Sequence, residues 1–147
     1  MPPNFSLQPV LDYRETIVET LEIELGQLIR EKTKTEKTIR KLSDQERNLW
    51  AEMTTQQIGE MNLIRIEQLQ QHLDQLEKQK ELLMDKLKEI VAAIHKKRQE
   101  IITAKQDQEV LEIIKEKEEE EYQELVKQNN LKLQDDIYIA QAYQSRI

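Results

Sequence analysis

Very few residues in this sequence could interrupt a helix. The three prolines are Pro2, Pro3 and Pro9, and the two glycines are Gly26 and Gly59, so the backbone after Pro9 can keep its helical hydrogen bonds. Hydrophobic residues make up 37% of the chain and charged residues 35%, against about 45–50% and about 25% in ordinary globular proteins. Such a composition, rich in Glu, Lys, Gln, Leu and Ile, is typical of long helices and coiled coils. We therefore exclude all-β and α/β folds.

Apolar residues in the first part of the chain recur at alternating spacings of three and four. We call these positions the first seam: 7, 11, 14, 18, 21, 25, 28, 32, 35, 39, 42, 46, 49 and 53. Its polar exceptions are Arg14, Lys32, Thr35 and Glu46. A sustained 3.5-residue repeat indicates a coiled coil and not a globular helix with a broad apolar face.

The pattern stops after Met53. Thr54 and Thr55 follow, and then Gly59; β-branched residues before a glycine are typical of a helix end with the glycine as its left-handed cap. We therefore expect a turn at residues 54–61.

A second seam begins at Ile66. Its positions are 66, 69, 73, 76, 80, 83, 87, 90, 94, 97, 101, 104, 108 and 111, and the polar exceptions are Lys80, Lys97 and Gln108. Buried polar residues specify register in coiled coils at some cost in stability, which is the role we expect for the two lysines.

If the chain folds back at Gly59, seam positions of the two helices pair so that their residue numbers sum to 118 or 119. The second seam ends just past Leu111, which is where no residue of the first helix remains to pair with it. Residues 12–24 contain five acidic side chains and one arginine. Their expected neighbours, residues 95–105, contain His95, Lys96, Lys97, Arg98 and Lys105 against Glu100, so opposite charges flank the seam as an antiparallel register requires. The sequence predicts an all-α fold, a long antiparallel two-helix coiled coil, or α-hairpin, whose second helix overhangs. As a single domain over residues 1–147 it would have a helix near 7–56, a turn near 54–61, a helix near 62–128 and a C-terminal amphipathic segment at 131–147.

The residues needed for most enzyme chemistry are missing. The two glycines cannot form a glycine-rich phosphate loop, and the absence of cysteine removes thiolate zinc sites and cysteine nucleophiles. His72 and His95 lack a histidine or carboxylate partner at helical metal-site spacing, so both are expected to be solvated. A two-helix rod has no enclosed pocket to raise a carboxyl pKa. We expect no enzyme, no cofactor and no metal site.

Two charged stretches permit more than one interpretation. Basic residues cluster between Arg30 and Lys41, but the net charge of −7 and the lack of interleaved aromatics argue against nucleic-acid binding. A solvated or protein-docking face is the favoured interpretation. The acidic run Glu118 to Glu121 either faces water or contacts a basic ring or groove.

The chain has no apolar run long enough to span a membrane and no signal-peptide pattern, so a cytoplasmic protein is expected, peripheral to a membrane at most.

The opening of the chain resembles a known family. The matching residues are Phe5, Leu7, Gln8, Val10, Leu11, Arg14 and Glu15. This segment is similar to the start of the bacterial flagellar export protein FliJ, whose members continue into a long acidic and basic helix. The resemblance implies an antiparallel coiled coil like the central stalk of rotary ATPases, which sits in the export ATPase ring, contacts the export gate protein and escorts export chaperones of type III secretion, on the cytoplasmic face of the inner membrane.

By the same resemblance, the end of the hairpin that carries both termini would enter the ATPase ring. The expected partner-binding residues lie at this end. Ile113, Ile114, Tyr122 and Leu125 lack a partner in the predicted register, and Leu7 and Leu11 lie near Gln108 and Leu111 there. Alternatively, the segment from Ile137 to Tyr143 folds back over them and leaves nothing to bind. A second hypothesis of function is a self-assembling cytoplasmic coiled-coil scaffold unrelated to export. The scaffold would form homodimers or filaments, whereas the stalk would stay monomeric until its partner binds.

Overall fold

The computed structural model describes residues 4–58 and 62–145. These residues form two helices, α1 (Gln8–Ile58) and α2 (Leu63–Ser145). Outside the helices, the described ranges contain only residues 4–7 and 62, and they include no strand. The predicted all-α fold of two long helices is confirmed. Gly59, the predicted helix cap, lies outside the described residues.

Contacts within the chain divide it into two compact units. We call residues 20–101 the hairpin unit, and residues 4–19 with 102–145 the terminal unit. In the hairpin unit, ion pairs join the helices so that the residue number on α2 rises as the number on α1 falls. These pairs are Glu52–Arg65, Glu46–Lys80, Glu31–Lys86 and Glu24–Lys97. Because their order is reversed between the helices, α1 and α2 are antiparallel in this unit, as the register predicted.

The buried residues follow the two seams. Within the described ranges, every buried residue occupies a seam position: Leu11, Val18, Thr35, Met53, Leu69, Leu73, Leu76, Ile90, Ile94, Ile101 and Ala104. The other seam positions are half-buried, apart from Leu7. Met53, Leu69 and Leu73 form a cluster against which Leu49 packs. The 3.5-residue repeat therefore identified the hydrophobic core residue by residue.

The lysines on the second seam each bind a carboxylate of the facing helix. The Lys80 ammonium lies 3.4 Å from a Glu46 oxygen, and the Lys97 ammonium donates to a Glu24 oxygen at 2.6 Å. Lys97 also lies 3.2 Å from Glu100. The hydrogen bond to Glu24, followed by that to Glu100, raises the pKa of Lys97 above its usual value. These pairs join polar seam positions to specific partners, which suits the register role expected for the lysines.

Both helices extend further than the sequence predicted. Thr54 and Thr55 belong to α1, and their hydroxyls donate to the carbonyls of Trp50 and Ala51 at 2.9 and 3.0 Å. Threonine can satisfy its hydroxyl in this way without leaving the helix, so the expected turn does not begin at residue 54. α2 begins after Asn62, whose side-chain oxygen accepts from the Arg65 N–H at 3.2 Å as a helix cap.

The second helix does not end near residue 128. Residues 129–130 are helical, and α2 continues without a break to Ser145. The predicted C-terminal segment at 131–147 is therefore the last part of α2 as far as the structure describes it. Because these residues continue one helix and are exposed throughout, the fold-back over Ile113 and Ile114 does not occur.

Candidate partner-binding surface

The start of α1 is fixed by a short hydrogen-bonded turn. The Gln8 N–H donates to the Phe5 carbonyl at 3.0 Å, and the Leu11 N–H donates to the Leu7 carbonyl at 2.9 Å. Pro9 lies in the first turn of the helix, where its missing N–H leaves no bond unmade. The helix therefore begins where Leu7 and Leu11 lie one turn apart.

In the terminal unit this first part of α1 runs beside residues 102–119 of α2. Arg14 lies 3.5 Å from Asp107. The residues before and at the start of α1 lie across from a later part of α2, and together they line a surface cleft of about 580 Å³: Asn4, Phe5, Ser6, Gln8, Pro9, Lys115, Glu118 and Glu119. The pairing between the start of the chain and α2 therefore extends as far as Glu119 of α2.

The predicted partner-binding residues divide by burial. Leu11 is only 3% exposed, so it belongs to the core and its side chain is not offered to a partner while the helices stay paired. Ile114 and Tyr122 are half-buried. Leu7, Ile113 and Leu125 are exposed, as expected of surface residues, with Leu125 at 57%.

Beyond this pairing, α2 continues with all of its side chains in water. Every residue from 123 to 145 is exposed, and we call this segment the overhang. Besides Leu125, its large apolar residues are Val126, Leu131, Leu133, Ile137, Tyr138, Ile139 and Tyr143. Apart from Leu125, these residues were not among the predicted partner-binding residues, although the end of the second seam past Leu111 was the signal that no helix would cover them.

Several of these apolar residues share one face of α2. At about 100° per residue, Tyr122, Val126, Leu133 and Ile137 fall within an arc of about 60°. Val126, Leu133 and Ile137 are 38%, 59% and 49% exposed. We call these three residues the overhang row. They form an apolar stripe along the overhang, a pattern typical of a helix that packs against another surface, and further exposed apolar residues such as Leu131 and Tyr138 lie on other faces.

An acidic collar precedes the overhang. Glu118, Glu119, Glu120 and Glu121 are consecutive, and all four are exposed. Since successive residues of a helix point about 100° apart, their carboxylates surround α2 instead of lining one side. Glu118 and Glu119 border the cleft beside the start of α1, so a partner would meet negative charge on the sides of the helix that face away from this cleft.

No sign of a catalytic or metal site appears in this unit or elsewhere in the described ranges. No group of three His, Cys, Asp or Glu residues there could hold a metal ion, and His72 and His95 are both exposed. Among the described residues, neither helix has an apolar stretch sufficient to cross a membrane. The surface of the terminal unit therefore combines an apolar stripe with a neighbouring band of carboxylates, both of which could contact a partner.

Comparison with known protein families gives a match over most of the chain. The family described as "Flagellar FliJ protein" matches residues 3–146 of the chain. The chain matches no curated protein and no solved structure. Since the family match extends over nearly the whole sequence, it includes the core of both helices and the overhang as well as the opening residues.

Proposed function

The chain belongs to the flagellar FliJ family, and from this membership we propose that it acts as a non-enzymatic stalk in the ring of the flagellar export ATPase. The family assigns the chain a role related to flagellar export. The contacts with the export gate protein and the export chaperones are part of the same proposal, and they rest on the resemblance of the opening residues. In this role the protein works in the cytoplasm, at most peripheral to the inner membrane.

The exposed overhang is the observation that carries the stalk proposal. Leaving a large apolar side chain in water sacrifices about 1.5–3 kcal/mol relative to burial, and the overhang row contains three of them. A single helix is about 10–12 Å across with its side chains, so protein subunits can surround it on all sides. Burial of the overhang row inside a ring would recover this free energy on binding.

The acidic collar also supports the proposal that this part of α2 binds inside a ring. Four carboxylates that point in all directions around α2 suit an opening lined with basic side chains. Complementary charge of this kind mainly speeds the encounter of two proteins and makes their association weaken with salt.

The overhang row can be tested with Val126→Ala, Leu133→Ala and Ile137→Ala combined. Alanine removes apolar surface and keeps high helix propensity, so the isolated protein should keep its melting temperature. We expect stimulation of the purified export ATPase, measured as phosphate release, to be lost. The matched control is Ile23→Ala, Leu82→Ala and Val91→Ala, three exposed residues of the hairpin unit, which should stimulate normally.

Two results would refute the stalk proposal. One is full stimulation by the overhang variant, and the other is an equal loss in the hairpin control. The mass of the isolated protein, measured by light scattering over a concentration series, distinguishes the stalk from the scaffold, because the stalk stays monomeric without its ring. If the parent chain forms dimers or filaments that the overhang variant does not, the scaffold explains the exposed row better.

The contribution of the acidic collar can be measured separately. Glu118, Glu119, Glu120 and Glu121 are replaced together by Gln. We expect slower association with the ATPase and a weaker dependence of the rate on salt. The matched control neutralises four exposed glutamates of the hairpin unit: Glu67, Glu77, Glu81 and Glu89. If both variants slow association equally, the effect comes from net charge and not from the collar.

A further inference from the structure

A basic stretch of α1 is not used by the proposed stalk function. Between Arg30 and Lys41 the chain has six basic residues and only two acidic ones, although its net charge is −7. The structure separates the six into two groups. Lys32 and Arg40 each lie 3.8 Å from Glu36, so both are paired. The other four are exposed, and none has an ion pair within the described residues: Arg30, Lys34, Lys37 and Lys41.

These four cations form one straight row. Their spacing of four, three and four residues keeps them within an arc of about 60° on α1, over about 16 Å of helix. The seam lies on the opposite side of the helix, where Thr35 is 5% exposed and Ile39 is half-buried. We call the four residues the basic row, and it faces away from α2.

The carboxylates nearest to the basic row already have other partners. Glu31 lies 3.5 Å from Lys86 of α2, and Glu36 is shared by Lys32 and Arg40. Asp44, just past the row, lies 3.5 Å from Arg47. The basic row therefore keeps its positive charge even though acidic residues are abundant in the chain.

We propose that the basic row is a docking site for an anionic phospholipid bilayer. A straight row of cations that faces outward can contact a flat surface with all four side chains at once. Each Lys or Arg held near an anionic bilayer strengthens binding by about fivefold. The acidic residues on other faces of the molecule oppose binding little, because charges beyond the Debye length of about 8 Å are screened at physiological salt.

Other anionic partners fit the basic row less well. It contains no aromatic side chain on which a base could stack, which sequence-tolerant binding of single-stranded nucleic acid requires. It also has no large apolar residue that could form the desolvated centre of a protein interface. A lipid headgroup layer needs neither, since its attraction for cations acts through water.

The test is co-sedimentation of the full chain with vesicles. Vesicles of phosphatidylcholine with about 30% phosphatidylglycerol are compared with vesicles of phosphatidylcholine alone. We expect binding to the anionic vesicles only, and weaker binding as salt rises. Replacing all four residues of the basic row by Gln should reduce binding to the level of the neutral vesicles, and Lys37→Gln alone should weaken it by about fivefold.

A control with the same change in charge decides whether position matters. Lys78, Lys88, Lys96 and Arg98 are exposed on α2 and have no ion pair in the described chain. Replacing them by Gln also lowers the net charge by four, and this variant should bind the anionic vesicles nearly as well as the parent. Circular dichroism confirms that both variants keep their helix content.

Three results would overturn the proposal. One is a failure of the parent chain to bind anionic vesicles at low salt, and the second is a control variant that loses as much binding as the row variant. The third result is tighter binding of a short DNA or RNA duplex than of the vesicles, which would assign the basic row to nucleic acid. Because the assay contains no ATPase, its outcome is independent of the stalk proposal.

Discussion

Replacing Leu69 by Ala tests whether the seam is the source of stability. Leu69 is the most buried large side chain of the described residues, with 1% of its surface exposed, and it packs in the cluster of Met53 and Leu73. The substitution keeps a good helix former on α2, so its effect reports the packing between the helices and not the helix propensity.

The expected loss of stability follows from the atoms removed. Leu→Ala deletes three carbons, and at about 0.8 kcal/mol for each buried group the transfer term is about 2.4 kcal/mol. A cavity term adds to this where neighbours cannot move in. In a two-helix layer the cluster has water on its outer side, so Leu49 and Met53 can relax toward the gap. We therefore expect a loss of about 2–3 kcal/mol, the low end of the range for Leu→Ala in protein cores.

Urea unfolding followed by circular dichroism measures this loss. The matched control is Leu82→Ala, which removes the same atoms from a side chain that is 71% exposed on the same helix, and it should change stability by less than about 0.5 kcal/mol. A cost below about 1 kcal/mol at Leu69, or equal costs at Leu69 and Leu82, would show that the seam is not the core.

Three further substitutions have defined outcomes. Gly26→Ala should stabilise the chain by about 0.5–1 kcal/mol in urea unfolding, because an added Cβ would meet an arginine side-chain nitrogen at 3.7 Å, an ordinary contact distance. Thr35→Val should raise the melting temperature slightly, because it removes a buried hydroxyl whose acceptor, the Glu31 carbonyl, remains within the helical hydrogen-bond pattern. Lys97→Met removes the partner of Glu24. Since the pKa of Lys97 is raised from 10.5, its contribution is fully present below about pH 10.5 and is lost as pH rises through the raised pKa. Melting curves should therefore show the parent losing more stability than the variant as the pH rises above about 10.5.

The core was predictable because the seam is a periodic property of the sequence. With two helices and little else, each seam residue can be buried only against the other helix, so spacing alone determines which side chains leave water. The residue numbers of the four ion pairs between the helices sum to 117, 126, 117 and 121, which lie around the predicted sum of 118 or 119. The register of the two helices could be predicted from the same pattern. A shift of one helix along the other would place the charged residues that flank one seam against apolar residues of the other seam.

Helix ends were less predictable because they depend on small differences in free energy. Asn129 and Asn130 are poor helix formers, but each costs less than about 1 kcal/mol relative to alanine. Ending α2 there would require a turn in a stretch without proline or glycine. The threonines at 54 and 55 presented the same difficulty, since local side-chain bonds that favour a turn can also be made inside a helix.

The overhang shows why the core and the binding surface had to be inferred differently. A seam residue such as Leu11 is constrained by its neighbours on the facing helix, and periodicity therefore located it in the core even though it had been assigned to the binding surface. Residues such as Leu133 and Ile137 have no facing helix, and no intramolecular rule fixes their positions. Their substitution should change binding and leave stability nearly unchanged, whereas substitution of Leu11 should do the reverse. The boundary between the two kinds of residue lies beside the start of α1, between Glu119 and the start of the overhang on α2.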